Sequence, residues 1–168
     1  LVNDVIKISQ LDEGKFFCEK EDVDLYEAAR EILKRLEERA AEKNIHLYLY
    51  GSHVKVNTVK VILEEVLYNL CDNGLKYNKQ SGSLTVNISE VEGNAQIVVE
   101  DTGIGILEED KMRIFERFYR VDKSHSKAIG GTGLGLSIVK HGSMFLGADV
   151  KVESTLGEGS RFILTIPE

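Results

Sequence analysis

The chain has 168 residues, 42% of them apolar and 29% charged, ordinary values for one globular domain with a real core. A formal charge of −7 argues against nucleic acid as a general polyanion partner, and no apolar run approaches the roughly 18 residues of a membrane span. Cys18 and Cys71 lack metal-ligand spacing and read as free thiols of a reducing compartment, while a start at Leu1 without Met or signal peptide reads as a soluble fragment of something longer.

Leu1, Val5, Ile8 and Leu11 recur at helical spacing, with Gly14 as a stop, so residues 1–14 read as one amphipathic helix. A single short helix cannot bury its own stripe, and this one reads as the end of a helical element that begins upstream. Residues 15–24 read as a polar link. Leu25, Ala28, Ala29, Ile32, Leu36 and Ala40 predict a helix over 25–43 with one buried face, and Asn44 is its cap. Ile45 to Tyr50 follows as a strand, Gly51-Ser52 turns the chain, and Val54 and Val56 mark a short second strand.

The next helix, about Thr58 to Tyr77, carries Val59, Ile62, Leu63, Val66, Leu67 and Leu70 as its apolar stripe. Asn69 and Asn73 lie one turn apart on a shared face, with Tyr77 a further turn along. Asn is a poor helix former because its amide competes for backbone hydrogen bonds, so two stacked in mid-helix point to a use for the amides. A solvated helix face is the bland alternative.

After a turn at Lys79-Gln80-Ser81-Gly82, Leu84, Val86 and Ile88 form an alternating strand, and Glu92-Gly93-Asn94 turns into Ala95, Ile97 and Val99. On that alternation Asp101 continues the apolar face, which costs free energy unless something hydrogen-bonds to it. In Asp101-Thr102-Gly103-Ile104-Gly105-Ile106 the glycines let the backbone turn and let a ligand approach without meeting a Cβ. An ordinary strand ending in a glycine turn reads the same in isolation.

Residues 107–131 lose clear periodicity and hold Phe115, Phe118, Tyr119, a series of Lys and Arg residues and Gly130-Gly131, the composition of a candidate lid. Gly131-Thr132-Gly133-Leu134-Gly135-Leu136 then opens a helix to about Phe145, and glycines at a helix N-terminus leave backbone N–H groups for an anion. Strands at about Ala148–Ser154 and Ser160–Ile166 end the chain. Three main helices and roughly six strands in consecutive pairs predict an α+β fold. Its form is a two-layer α/β sandwich, a mixed, mostly antiparallel sheet with helices on one face.

The segments N-L-C-D-N-G-L-K-Y (69–77), D-T-G-I-G-I (101–106), F-E-R-F-Y-R (115–120), G-T-G-L-G-L (131–136) and G-E-G-S-R-F (157–162) occur in that order. They resemble the N, G1, F, G2 and G3 boxes of the catalytic and ATP-binding domain of sensor histidine kinases. That domain has the Bergerat-type ATP-binding fold shared with type II topoisomerases and heat-shock chaperone ATPases. The likeness covers residues 23–168, leaving 1–22 as the end of a dimerisation helix plus linker. Phe118 to Asp122 with Ile138-Val139-Lys140-His141 is most similar to the branch that includes phosphate-regulon sensors.

The resemblance implies a role for each matching residue. Asp101 would accept the exocyclic amino hydrogen bond of adenine, with Ser160 supporting it through water, and would select ATP over GTP. Asn73 would bind Mg²⁺ bridging the phosphates, with Asn69 beside it. Lys76 and Arg120 would neutralise phosphate charge, and Tyr77 would lie against the nucleotide. Gly103 and Gly105 would form the turn beside adenine. Gly131, Thr132, Gly133, Leu134 and Gly135 would hinge the lid and face the phosphates. No Walker lysine loop occurs, so this is not a P-loop site.

Related ATPases carry a glutamate base where this chain has Asn69, which cannot take a proton from water. Glu65 and Asp72 read as solvated helix residues. None of His46, His53, His125 or His141 has an acceptor's context, and Gly142-Ser143-Met144-Phe145 departs from the family's usual aliphatic helix end. The implied function is transfer of the γ-phosphoryl group of ATP to a histidine on a separate dimerisation domain, with a response regulator downstream. The fragment itself would be monomeric and its parent homodimeric, on the cytoplasmic face of a membrane-anchored sensor. A serine kinase of a small regulatory protein and a nucleotide-gated, non-enzymatic interaction module are the alternatives.

Overall fold

The computed structural model describes residues 2–13, 19–119 and 134–167. Among them the chain runs α1 (Val2–Asp12), β1 (Glu21–Asp24), α2 (Leu25–Glu42), β2 (His46–Gly51), β3 (Lys55–Thr58) and α3 (Lys60–Lys76). It continues through β4 (Ser83–Val91), β5 (Asn94–Asp101), a 3-10 turn at Glu108–Asp110, α4 (Gly135–Phe145), β6 (Asp149–Thr155) and β7 (Gly159–Ile166). The main sheet has the order β2-β4-β5-β7-β6, and only β2 and β4 pair in parallel. The α+β sandwich is therefore as expected, with its mixed, mostly antiparallel sheet.

Alternation explains the layering. Leu84, Val86 and Ile88 of β4, Ala95, Ile97 and Val99 of β5, and Phe162, Leu164 and Ile166 of β7 are buried on one face. The register sets Val86 beside Val99 and Val99 beside Phe162, so the apolar rows run straight across the strands. Leu25, Ala28, Ala29, Ile32 and Leu36 of α2 and Leu63, Val66, Leu67 and Leu70 of α3 close over this face in one core. Glu92 and Gly93 both have positive φ, which closes the two-residue loop between β4 and β5. Asp24 caps α2 by accepting a hydrogen bond from the Glu27 backbone N–H at 3.1 Å.

Three particulars differ from the sequence reading. The polar link contains β1, which pairs antiparallel with β3 in a separate two-stranded ribbon. Only Val23 of β1 is buried apolar surface, so the strand depends on its partner and leaves no periodic trace. Val5 of α1 is exposed, whereas Ile8 and Leu11 are buried. Those two dock α1 onto α4 and the start of α3: Ile8 clusters with Leu134 and Ile138, and Leu11 with Val59 and Ile62.

The departure at residues 142–145 does not shorten α4, which runs through to Phe145. Gly142 instead lets α4 approach α3, since a Cβ there would stand 2.6 Å from Val66 Cγ2.

Candidate functional site

β5 ends on Asp101, which is only 7% exposed. Its Oδ1 accepts the Gly103 backbone N–H at 2.8 Å, and the Ser160 backbone N–H also donates to the carboxylate. Burial outweighs both donors, with Glu100 adding repulsion, and the carboxyl is pushed up to about 6. Gly74 of α3 stands directly over it: a Cβ there would strike Leu84 Cδ1 at 2.5 Å and lie 3.7 Å from Asp101 Oδ2. A helix interior normally disfavours glycine, and this one permits the close passage of α3 over the end of β5.

The glycines after Asp101 are closed in by the protein's own backbone. A Cβ on Gly103 would meet the Tyr77 carbonyl oxygen, and one on Gly105, at φ +72°, the Thr155 carbonyl oxygen. The loop is fastened at those points, where Ile104 N–H donates to the Tyr77 carbonyl at 3.0 Å and Ile106 N–H to Ser154 Oγ at 2.8 Å. Ser154, Ser160 and Asp101 form one cross-strand row. Ser154 Oγ donates to the Gly159 carbonyl at 2.7 Å and lies 2.9 Å from Ser160 Oγ. Having one proton each, the two hydroxyls divide the work. Ser154 has spent its proton on Gly159, so Ser160 donates to Ser154 and presents lone pairs elsewhere.

On the other side of Asp101, Thr102 Oγ1 donates to Asn78 Oδ1 at 3.0 Å and accepts the Ser83 N–H at 2.9 Å. Asn78 Nδ2 donates to the Ser83 carbonyl at 2.9 Å. These bonds join the end of α3, the start of β4 and the end of β5. Sequence reasoning missed Ser154, Asn78 and Thr102, whose roles arise between distant segments, and Gly74, for which a glycine in mid-helix was the available signal.

On α3, Asn69 Nδ2 donates to the Glu65 carbonyl at 2.8 Å, and Asn69 Oδ1 would lie 3.3 Å from a Cβ on Gly135. The amide oxygen is thus directed to the first residue of α4, beside the positive end of that helix. Asn73 is half-buried one turn later, and Tyr77 ends the helix. Lys76 Nζ pairs with Asp72 Oδ2 at 3.1 Å. The reading of Asp72 as a solvated residue is corrected here: it is buried and bound by Arg39 of α2 as well as by Lys76. Glu65 is likewise paired, with Lys7 of α1 at 3.0 Å.

Leu134 is 1% exposed and packs on Ile8 and Ile138, so the last residue before α4 faces protein rather than solvent. Ile114 is in the core and Phe115 meets Phe162 edge-on at 6.3 Å, which anchors the first part of the candidate lid. Arg120, Gly131, Thr132 and Gly133 lie outside the described residues.

Among the described residues no cluster of three or more His, Cys, Asp or Glu would hold a metal ion by itself. The donor set beside Gly135 is amide oxygen, a hard ligand, and suits an ion that a phosphate chain largely carries in.

The fold and the arrangement at the end of β5 are those of an ATPase-type α/β sandwich. The chain belongs to the family described as histidine kinase-, DNA gyrase B-, and HSP90-like ATPase, which residues 58–168 match. Relatives that it resembles over its whole length are named sensor histidine kinases. It is 33% identical to the sensor-like histidine kinase SenX3 of Mycolicibacterium smegmatis over 100% of this chain and 44% of that protein. It is 34% identical to the sensor histidine kinase WalK of Bacillus subtilis over 99% of this chain and 28% of that protein. The structure of full-length ShkA in complex with AMPPNP superposes with a TM-score of 0.86 at 28% identity, covering 99% of this chain and 35% of that one. The chain thus spans under half the length of these relatives.

Proposed function

We propose that this chain binds Mg-ATP and donates the γ-phosphoryl group to a histidine on a separate helical dimerisation domain in two-component signalling. The observation that carries the proposal is Asp101, a carboxylate buried where the fold would favour an apolar group, at a sheet end floored by Gly74. Retaining that cost suits an acceptor for the adenine amino group, with Ser160's lone pairs available to a bridging water. Asn73, with Asn69 beside it, would hold the Mg²⁺, which when bound neutralises phosphate charge. Lys76, Arg120 and the glycines from Gly131 to Gly135 would hold the phosphate chain, and Tyr77 would lie against the nucleoside.

The acceptor imidazole nitrogen attacks the γ-phosphorus, the bond to the β–γ bridging oxygen breaks, and its electron pair leaves with ADP. The imidazole N–H proton passes to water. This chain's part is positioning and charge stabilisation. Residues 1–22 would belong to the end of the acceptor-bearing helix and its linker, and 23–168 to the catalytic unit. The unit would work on the cytoplasmic face of a membrane-anchored parent and serve a response regulator.

Calorimetry with ATP, GTP and ADP, with and without Mg²⁺, tests the site. Binding of ATP with GTP undetected is expected, strengthened by Mg²⁺. Addition of the parent's helical domain with Mg-ATP should give an acid-labile phosphoprotein. Equal affinity for GTP would overturn the assignment of Asp101, and an acid-stable product would favour a serine kinase.

A further inference from the structure

Lys76 does not stand alone at the end of α3. Asp72, one turn earlier, holds its ammonium at 3.1 Å through Oδ2, and Oδ1 of the same carboxylate binds the Arg39 guanidinium across the α2–α3 contact. Asp72 is 9% exposed, whereas the Arg39 side chain is 40% exposed and that of Lys76 29%. Lys43 Nζ closes the same end of α3 by donating to the carbonyls of Leu75 and Lys76 at 3.1 and 2.8 Å.

A carboxylate one turn before a phosphate-facing lysine presents a difficulty, because alone it would cancel the charge the site needs. Arg39 resolves it. The three groups together carry one net positive charge, and the ammonium has three donors of which Asp72 takes one. Lys76 thereby loses rotamer freedom while keeping two donors and an uncancelled charge.

We infer that Asp72 is a positioning residue that aims Lys76 at the phosphate chain, with Arg39 as the counter-charge that keeps Asp72 from neutralising it. The inference rests on the reading of Lys76 as a phosphate ligand. It assigns this chain a device spanning α2 and α3, outside the Asn69–Asn73 face.

Affinities for adenosine, ADP and a non-hydrolysable ATP analogue test it by calorimetry on the whole chain. Asp72→Asn should leave adenosine affinity unchanged and weaken the ATP analogue about five- to tenfold, the loss growing with phosphate number. Asp72→Glu should restore most of it. In the double variant with Lys76→Ala, loss of Asp72 should add nothing to the effect of Lys76→Ala alone. Arg39→Gln, a change at a half-buried side chain, should weaken the ATP analogue without touching adenosine, and stands as an independent test if Asp72→Asn folds poorly. Undiminished phosphate affinity in Lys76→Ala would overturn the reading of Lys76 itself. A weakened Lys76→Ala beside an unchanged Asp72→Asn or Arg39→Gln would overturn the positioning role alone, as would equal loss for adenosine and the ATP analogue.

Discussion

Asp101 is where stability and the proposed nucleotide binding pull in opposite directions. Its carboxyl titrates near 6 in the folded chain, above the ordinary value of 3.8, because burial disfavours the charge. The folded chain therefore holds a proton between about pH 4 and 6 that the unfolded chain has released, and stability falls as pH rises through that window. Above it the cost is constant, on the order of 2–3 kcal/mol. Asp101→Asn removes that charge, so the nucleotide-free variant should gain stability at pH 7 and lose the advantage near pH 4. Thermal unfolding at the two pH values checks this, and an equal difference at both would place the titration elsewhere. With adenine placed as proposed, the same change puts a donor where adenine also has one and should cost about 1.5–3 kcal/mol of ATP binding, roughly ten- to a hundredfold. Wild-type affinity for ATP should correspondingly weaken as pH falls through about 6.

At the scale of elements, the helices and hairpins were legible because each carries its own period. Leu25 through Ala40 and Leu84 through Val99 show the buried face of α2 and of the β4–β5 hairpin without reference to anything else. What escaped depends on a partner elsewhere in the chain. β1 forms because β3 is beside it, Asp72 is buried because Arg39 lies 33 residues away, and Ser154 matters because Ile106 folds back onto it. The candidate site divides the same way. Asp101 and the stacked asparagines stood out as residues out of place in their own elements, whereas the bonds that hold them are long-range. Gly142 is a further case, since only the approach of α3 explains it. Gly142→Ala should destabilise the chain by about 1–3 kcal/mol, and a second change, Val66→Ala, should recover part of the loss by vacating the contact. Unfolding in urea checks both, and a neutral Gly142→Ala would mean that the α3–α4 contact gives way freely.

At the scale of the whole molecule, the described histidines and the carboxylate nearest Asn69 are engaged or turned away. His46 sits on the exposed face of β2, whereas Asp101 and its row occupy the buried face. His53 Nδ1 is bound to the Asp24 carboxylate at 2.8 Å, and His141 pairs with Asp12, which also holds Arg117. The remaining one of the four histidines, His125, lies outside the described residues and has no acidic neighbour after it in the sequence. For hydrolysis, Asn69 has no basic atom, and the carboxylate one turn before it, Glu65, is tied to Lys7. The chain alone should therefore bind radiolabelled Mg-ATP, turn it over very slowly and label none of its histidines. On the proposed function, adding a helical domain that bears an acceptor histidine should label that domain. Label on this chain alone would place an acceptor within it. Rapid release of phosphate would instead mean that Asn69 stands beside a competent base, with Glu65 freed from Lys7 as the first candidate to replace.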